Sequence, residues 1–440
     1  MIYSISPRTS SISTKIFALI SPCLRRLNST RHPPSEINLQ DYKPTIAAEP
    51  LYRYRPGGYH PTALGDALKD GRYKILHKLG WGGFATTWAA KDRKDDRYVA
   101  IKITMSELEN SRELKVLRAL SALSENHPGS AHVNRLLDHF TLVGPNGTHN
   151  CLVLELVGPG VQELVLERFK DHRLPSRLAK VFAKQALQGL DFLGANDIGH
   201  GDLHTRNLAV VVPNLDSLNE EDFIARLGEP ETGAVIRMDG APLTHNLPTH
   251  LTRSASFQKQ DFMPSSSGPS IKIIDFGEAF LSDDAPSTLH TPLYLQAPEI
   301  VFGDRLDRRV DLWSAGCLIF ELVTGQPPFD TVSMTPARIV GQMIEVTSDE
   351  VPSKWQAKWH VMQQQEASEQ DGGFTLEKWL EDLYLNSNKQ AEFTPEEVAE
   401  IYEVVAAMLR LEPSRRATPG ESLARAWFQR TMSGGWTRQI

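Results

Sequence analysis

A short polar stretch between two apolar segments constrains this chain more than any other feature. Residues 200–207 read His-Gly-Asp-Leu-His-Thr-Arg-Asn, after an apolar run with helical spacing over 178–195 and before a strand-like segment over 208–211. Asp202 and Asn207 lie five residues apart in this loop. A carboxylate and a carboxamide so placed can orient a hydroxyl group and hold a divalent cation, as phosphoryl transfer requires. For this stretch alone, a solvated polar turn is the structural alternative.

Four further short motifs occur in order around this loop. They are Leu79-Gly80-Trp81-Gly82-Gly83-Phe84, Tyr98-Val99-Ala100-Ile101-Lys102, Ile271-Lys272-Ile273-Ile274-Asp275-Phe276-Gly277 and Ala297-Pro298-Glu299. Together with the loop they resemble the signature set of the eukaryotic protein kinases, over roughly residues 70–430. The resemblance implies an α+β, bilobal protein kinase-like fold, with a small, mainly β N-terminal lobe and a larger, mainly α C-terminal lobe.

The same resemblance assigns roles to individual residues. It implies ATP as phosphoryl donor and Mg²⁺ as cofactor. The implied catalytic residues are Asp202 (base), Lys102 and Glu113 (nucleotide orientation) and His204 (beside the transferred phosphate). The implied metal ligands are Asn207 and Asp275. The implied ATP-binding residues are Leu79, Gly80, Gly82, Gly83, Phe84, Ala100, Lys102, Leu154, Glu155 and Val157. The implied structural residues are Glu299, Asp311 and Arg416.

The glycine-rich loop, residues 80–84, departs from the common family pattern. Glycines allow backbone N–H groups to approach nucleotide phosphates, since a β-carbon would intrude there. Ala85 stands where a third glycine is usual, and Thr87 stands where valine is usual. Alanine is small enough to be tolerated, and Trp81 and Trp88 match the SR-protein kinase form of the loop. A glycine-rich hairpin by itself usually binds nothing.

Lys102 needs an orienting carboxylate from a packed helix. The apolar spacing over 106–122 predicts that helix, which offers Glu107, Glu109 and Glu113. We select Glu113, because residues 112–117 resemble the corresponding family helix. By the same resemblance, backbone groups of Glu155 and Val157 meet the adenine edge, with Leu154 behind the ring.

Two departures in the central loop bear on activity. Gly201 replaces the arginine that in many kinases neutralises a phosphorylated activation segment, which suggests activity without that phosphorylation. His204 replaces a lysine that contacts the transferred phosphate, and a neutral imidazole supplies less charge. Thr291 lies eight residues before Glu299, one farther than expected for the threonine that steadies the catalytic aspartate, so its role stays open.

We divide the chain into a leader (1–45), an N-terminal lobe with its lead-in (46–158) and a C-terminal lobe (159–440). Prolines and serines over about 213–270 mark an insert, packed along the lobe or partly disordered. SR-protein kinases also carry an insert at this place. The lead-in segment, residues 52–61 (Tyr-Arg-Tyr-Arg-Pro-Gly-Gly-Tyr-His-Pro), is similar to the one that precedes the catalytic core in fungal SR-protein kinases.

Charge is unevenly distributed along the chain. The net charge is −7, and residues 345–403 alone contain 14 acidic and 4 basic side chains. A solvated acidic face is one interpretation, and a surface that attracts basic protein substrates and repels nucleic acid is the other. SR-protein kinases keep an acidic docking groove in this region, and the sequence leaves open whether Asp349 and Glu350 line one here. We expect basic or Ser/Arg-rich protein substrates, no direct nucleic-acid binding and a monomer.

The N-terminal residues and the cysteines bear on location. Residues 1–34 contain no acidic residue and five basic ones, which is typical of a mitochondrial transit peptide and equally of a disordered tail. The family resemblance instead implies the cytoplasm and nucleus. Cys23, Cys151 and Cys317 lie far apart without metal-ligand spacing, which fits a reducing compartment. No apolar run reaches the ~18 residues that span a bilayer.

The leading interpretation is an ATP-dependent serine/threonine protein kinase. A small-molecule phosphotransferase is the first alternative, because a His-Gly-Asp-Leu-His loop also resembles aminoglycoside and choline kinases. The Ala-Pro-Glu segment with Asp311 and Arg416 argues against it. A non-catalytic pseudokinase scaffold is the second alternative, supported by the departures at Ala85, Gly201 and His204.

Overall fold

Short apolar and β-branched runs predict strands in the first third of the chain, and apolar helical spacing predicts helices after it. The computed structural model describes residues 41–107, 112–169, 171–257, 268–329, 335–365, 375–385 and 391–430. The leader over 1–34 and the candidate Glu109 lie outside these residues. The strands are β1 (Tyr42–Pro44), β2 (Ala67–Leu68), β3 (Tyr73–Trp81), β4 (Ala85–Asp92), β5 (Arg97–Thr104), β6 (Leu136–Gly144), β7 (Gly147–Glu155), β8 (Ile198–Gly199), β9 (Leu208–Val210), β10 (Thr232–Arg237), β11 (His250–Thr252), β12 (Ile271–Ile273) and β13 (Phe280–Leu281).

The helices dominate the second half of the chain. They are α1 (Arg112–Ser121), α2 (Val161–Arg168), α3 (Ser176–Ala195), α4 (Glu220–Leu227), α5 (Pro298–Val301), α6 (Val310–Thr324), α7 (Pro336–Thr347), α8 (Ser353–Gln365), α9 (Leu376–Tyr384), α10 (Pro395–Met408), α11 (Pro419–Leu423) and α12 (Ala426–Gln429). Among the described residues, no helix combines the length and the apolar character that crossing a membrane requires.

The small lobe is built on an antiparallel sheet with the strand order β2-β3-β4-β5-β7-β6. Alternate residues of these strands point to one face, where Ile75, Trp88, Ile101 and Val153 are almost completely buried. The opposite face carries Lys102, whose neighbours in the ladder are Thr87 on β4 and Leu152 on β7. The sheet register therefore places Lys102 beside the strand that follows the glycine-rich loop.

The large lobe is organised around α3 and α6. Helix α3 buries one apolar stripe, as its spacing predicts, and fourteen of the fifteen residues of α6 are buried. A helix that is apolar on all sides has to lie inside the protein, so α6 forms the centre on which the other helices pack. Two short antiparallel pairs, β12 with β9 and β13 with β8, carry the segments on either side of the central loop.

The insert leaves the large lobe after β9 and contacts the small lobe. Its strands β10 and β11 form a three-stranded sheet with β1. Tyr98 of β5 stacks on Phe223 of α4 with ring centroids 3.7 Å apart, and the Tyr98 N–H donates to Asp216 Oδ1 at 2.7 Å. The described part of the insert is thus packed, although the domain boundaries proposed from the sequence stay a prediction. Residues 258–267 of the insert lie outside the described chain.

Candidate active site

Lys102 contacts one carboxylate from each lobe. Its Nζ lies 2.7 Å from Glu113 Oε1 on α1 and 2.7 Å from Asp275 Oδ1 after β12. Glu113 is buried, with 6 % of its surface exposed. Glu107, the other candidate within the described chain, instead pairs with Arg55 at the surface. The structure therefore places Glu113, the carboxylate proposed from the sequence, beside Lys102, and it adds a contact to Asp275, which the sequence proposed only as a metal ligand.

These contacts fix the charge states of the cluster. Burial alone would lower the pKa of Lys102, but the neighbouring carboxylates of Asp275 and Glu113 outweigh burial and raise it above its usual range. The positive charge of Lys102 lowers the pKa of Asp275 to about 2, although burial opposes the change. Burial raises the pKa of Glu113, and Lys102 opposes that rise. An ammonium group and an ionised Asp275 therefore face each other across the cleft at neutral pH.

Asp275 adopts an uncommon backbone conformation. Its φ is +60°, in the left-handed region, where residues other than glycine are rare and cost about 1–3 kcal/mol. Its Oδ1 also accepts from the Gly277 N–H at 3.3 Å, and half of its side-chain surface is exposed. Such strain persists only where the surroundings hold it, and at this position it points the carboxylate into the cleft.

Asp311 accepts two hydrogen bonds from the backbone of the central loop (residues 200–207). Its two carboxylate oxygens accept from the backbone N–H groups of His200, at 2.6 Å, and Gly201, at 2.8 Å. Burial raises the pKa of Asp311, and the two backbone N–H donors oppose the rise. Asp311 lies in the first turn of helix α6, where the helix dipole favours a negative charge. Asp311 thus has the bracing position that the resemblance implied.

His200 is a further residue of the site, whose contacts the sequence analysis did not identify. Its Nε2 lies 3.0 Å from the Ile274 carbonyl, and its Nδ1 lies 3.3 Å from the Asp202 N–H. A nitrogen beside a carbonyl has to donate and one beside an N–H has to accept, so we assign the neutral Nε2–H tautomer. The imidazole consequently links the backbone of Asp202 to the strand that ends before Asp275.

Asp202, His204 and Asn207 converge at the centre of the loop. Asn207 Nδ2 donates to the Asp202 carbonyl at 2.8 Å and to Asp202 Oδ2 at 3.2 Å. His204 Nε2 lies 3.5 Å from both Asp202 Oδ2 and Asn207 Nδ2. Within the described chain, the buried Oδ1 of Asp202 has no hydrogen-bond partner. The loop therefore presents one carboxylate oxygen whose hydrogen-bonding capacity is unused.

Asn207 and Asp275 come from adjacent strands. The Ile274 N–H donates to the Asn207 carbonyl at 2.9 Å, next to the β9–β12 ladder. Because the Asn207 amide nitrogen donates to Asp202, its amide oxygen faces away from Asp202. No group of the described chain donates to that oxygen. Amide and carboxylate oxygens are the ligands that Mg²⁺ prefers, so these two residues suit such an ion.

The glycines of the glycine-rich loop are not required by the fold itself. A β-carbon at Gly80, Gly82 or Gly83 would meet no protein atom within 4 Å. None of these three residues has a positive φ. Phe84 at the tip is 60 % exposed. The space that a side chain would fill is therefore open to a ligand.

The segment proposed to contact adenine spans the end of β7 and the residues just after it. Ala100 and Leu154 lie opposite each other on β5 and β7, and Leu79 is half-buried near the end of β3. The Glu155 N–H donates to the Arg135 carbonyl at 3.1 Å, and its side chain pairs with Lys272 at 2.7 Å. Within the described chain, neither backbone group of Val157 has a hydrogen-bond partner. Val157 therefore retains a donor and an acceptor for an adenine edge.

Three contacts further define the large-lobe side of the site. Arg416 forms two hydrogen bonds of 2.7 and 2.6 Å to Glu299, and both side chains are buried. Thr291 donates to the Gly201 carbonyl at 2.8 Å, so it does contact the central loop, although through Gly201 and not through Asp202. Asp349 is buried and accepts from the Leu411 N–H at 3.0 Å, which gives it a structural role instead of a place in a docking groove.

Comparison with known proteins agrees with this geometry. The sequence profile described as the protein kinase domain matches residues 73–222 and 259–428. A serine/threonine protein kinase of Aspergillus fumigatus is 30 % identical over 67 % of this chain and 68 % of its own length. The serine/threonine-protein kinase SRPK of Physarum polycephalum is 30 % identical over 84 % of this chain and 88 % of its own length. SRSF protein kinase 3 of Homo sapiens is 34 % identical over 36 % of this chain and 29 % of its own length.

These matches confirm the bilobal kinase fold and the resemblance to SR-protein kinases. The chain therefore belongs to the protein kinase family and is a serine/threonine protein kinase similar to the SR-protein kinases.

Proposed function

We propose that this kinase is catalytically active and that its chemistry rests on five residues of the cleft. Lys102, oriented by Glu113, binds the phosphates of ATP, and Asp202 accepts the proton of the substrate hydroxyl. Asn207 and Asp275 hold Mg²⁺, which when bound neutralises phosphate charge. The observation that carries the proposal is Lys102 lying 2.7 Å from carboxylates of both lobes. Retention of this arrangement argues against a pseudokinase scaffold.

The orientation of Asp202 supports its role as base. Its Oδ2 is occupied by Asn207, whereas its buried Oδ1 has no partner in the described chain. The Asp202 side chain is 23 % exposed, and its carboxylate keeps the capacity to accept one further hydrogen bond, as a base for a substrate hydroxyl must. Thr291 and Asp311 fix the neighbouring backbone at Gly201, so the carboxylate is held in place by groups that do not react.

We further propose basic, Ser/Arg-rich proteins as substrates. Relatives whose names denote SR-protein or SRSF kinases support this class. Charge supports it as well, because the acidic segment presents exposed carboxylates. Those within the described chain are Glu345, Glu350, Glu377, Glu381, Glu392, Glu396 and Glu403. Because Asp349 is buried, the electrostatic attraction of a basic substrate depends on these exposed carboxylates.

Phosphate transfer to an arginine–serine peptide, with ATP and Mg²⁺, tests the proposal. Asp202→Asn should lower kcat by at least about 100-fold while ATP affinity changes less than about threefold, since a general base contributes about 10²–10⁴-fold. Asp239→Asn, at an exposed position of the insert, is the matched control and should leave kcat unchanged. Equal turnover of Asp202→Asn and the wild type would remove Asp202 from the mechanism.

A serine peptide flanked by glutamates tests the substrate class in the same assay. We expect kcat/KM to favour the arginine–serine peptide, and to fall with added salt because exposed charges are screened. Equal kcat/KM values for the two peptides would reject the Ser/Arg preference without affecting the kinase assignment.

We propose the cytoplasm and nucleus as the location, because the resemblance to SR-protein kinases implies it. The acid-free leader keeps the mitochondrion as the alternative. Fusion of residues 1–40 to a fluorescent reporter distinguishes them: mitochondrial signal would reject the cytoplasmic and nuclear location, and diffuse signal would reject the transit peptide.

A further inference from the structure

The lead-in segment forms two hydrogen bonds to the glycine-rich loop. The Tyr59 hydroxyl donates to the Gly82 carbonyl, and the Arg53 guanidinium donates to the Gly83 carbonyl. The chemistry proposed above does not use these contacts. They act on two successive peptide groups at the tip of the loop, where the phosphates of ATP are expected.

Holding a carbonyl also orients the next N–H group. A trans peptide is planar, and its C=O and N–H point in opposite directions. Tyr59 therefore sets the direction of the Gly83 N–H, and Arg53 sets that of the Phe84 N–H. Within the described chain, neither of these N–H groups has a backbone hydrogen-bond partner. Both donors belong to the lead-in segment, so each of these N–H groups points away from the side chain that holds the preceding carbonyl.

The lead-in segment is itself firmly anchored. Tyr59 is buried, with 1 % of its surface exposed, and its carbonyl accepts from Asn146 Nδ2 at 2.6 Å. The Tyr59 N–H donates to the Arg53 carbonyl at 2.8 Å, in a turn where a β-carbon on Gly58 would lie 2.1 Å from that same carbonyl. Burial raises the pKa of Tyr59 to about 12, so its hydroxyl remains a donor at neutral pH.

A second anchor ties the neighbouring chain to the strand before the loop. Tyr54 donates to Glu49, and Glu49 pairs with Lys78 of β3, two residues before Gly80. All three side chains are buried. Removing one partner of a buried ion pair is strongly destabilising, so this network resists displacement. The segment that carries Tyr59 and Arg53 is therefore bound to the small lobe at a second point.

We propose that Tyr59 and Arg53 are positioning residues that orient the N–H groups of Gly83 and Phe84 toward the phosphates of the bound nucleotide. The inference rests on the nucleotide site proposed above. A preoriented loop does not have to be ordered when ATP binds, which favours nucleotide affinity. Neither residue takes part in the transfer step.

Hydrogen exchange of the nucleotide-free protein tests the contact itself. Tyr59→Phe removes the hydroxyl and keeps the ring. The substitution should increase the exchange rates of two protected amides at the loop, those of Gly82 and Met105. These amides donate to the carbonyls of Ala85 and Phe84 at 2.9 and 2.8 Å. We expect these amides to exchange about threefold to tenfold faster, as the loss of one hydrogen bond implies.

Tyr98→Phe is the matched control, because it also removes a tyrosine hydroxyl that donates to a backbone carbonyl, at 3.0 Å to Leu218. It should leave exchange at Gly82 and Met105 unchanged. Equal exchange in Tyr59→Phe and Tyr98→Phe would show that Tyr59 does not hold the loop and would overturn the inference.

Nucleotide binding tests the consequence. In Tyr59→Phe, the Kd for MgADP and the KM for ATP should each rise about threefold to tenfold, while the KM for peptide stays unchanged. Arg53→Met should act in the same direction, and the double variant should exceed either one. A merely structural role would lower thermal stability in Tyr59→Phe and Tyr98→Phe alike without this selective change.

The outcomes separate this inference from the proposed function. Faster exchange with unchanged nucleotide affinity in Tyr59→Phe would overturn the positioning role while the catalytic assignment stands. A wild-type protein that binds no MgADP would overturn both. Full nucleotide affinity in the double variant would overturn the inference alone.

Discussion

The buried pair Glu299–Arg416 offers a direct test of how the large lobe is held together. Arg416 donates to both Glu299 oxygens, at 2.7 and 2.6 Å, and its side chain is 0 % exposed. It also donates to the carbonyls of Arg309, at 2.8 Å, and Arg410, at 2.9 Å. One guanidinium therefore connects α5 with the residue that precedes α6 and with the chain that follows α10.

The substitution Arg416→Met removes these donors at similar volume. The Glu299 carboxylate then remains buried without its guanidinium partner, which costs about 3–5 kcal/mol. The carbonyls of Arg309, Arg410 and Leu411 lose a donor as well, so we expect a value near the upper end of that range. Against a total stability of about 5–15 kcal/mol, such a loss is severe. The double variant Glu299→Gln/Arg416→Met removes the unpaired charge and should recover about 1–2 kcal/mol.

Urea denaturation followed by tryptophan fluorescence measures these differences as shifts of the unfolding midpoint. The matched control is Arg55→Met, which breaks an Arg–Glu pair whose side chains are 48 % and 54 % exposed and should cost less than about 1 kcal/mol. A cost for Arg416→Met as small as that for Arg55→Met would refute the argument from burial. A double variant less stable than Arg416→Met would show that the charge is not what destabilises the single variant.

Two further predictions concern single histidines. His204→Lys places an ammonium beside Asp202 and should preserve or raise kcat on an arginine–serine peptide, because the imidazole supplies less charge to the transferred phosphate; a loss of more than tenfold would reject that account. Burial, and then the charge of His149, lowers the pKa of His60 from 6.5 to about 4. Since the unfolded chain binds this proton more readily, the contribution of His60 to stability is complete above pH 6.5 and is lost as the pH falls to 4. Between those pH values the unfolding free energy of the wild type should fall by about 3 kcal/mol more than that of His60→Gln, and parallel pH profiles would contradict this.

Much of the fold could be predicted because its signals are local. The apolar helical run predicted over 178–195 is α3 (Ser176–Ala195), and the apolar residues that follow Asp311 in the sequence form α6 (Val310–Thr324). In both cases the repeat of apolar residues determines which face is buried, whatever the rest of the chain does. The choice of Glu113 rested on family resemblance, and the structure places that residue beside Lys102.

The contacts that sequence analysis missed join residues far apart in the chain. Tyr59 meets Gly82 across 23 positions, and Thr291 meets Gly201 across 90. The number of residues between Thr291 and Glu299 left the role of Thr291 undecided, because a count of residues does not show how the chain between Asp275 and Glu299 folds. Asp349 reads as a surface carboxylate in an acidic segment, yet a single backbone N–H of Leu411 and the side chain of Arg410 hold it inside. The periodicity of apolar residues does not indicate such contacts between distant residues.

The insert shows why composition alone gave two interpretations. Its prolines and serines are compatible with a packed segment and with a disordered one. The contacts that pack the insert involve Tyr98, which lies more than a hundred residues earlier in the chain. Phe223 stacks on the Tyr98 ring, Asp216 accepts from the Tyr98 N–H, and the Leu218 carbonyl accepts from its hydroxyl. Tyr98 belongs to β5, the same strand as Lys102. The insert begins in the large lobe, so these contacts join it to a strand of the small lobe. The insert is therefore packed because two parts of the chain that are distant in sequence meet at Tyr98, and local composition cannot indicate such a contact.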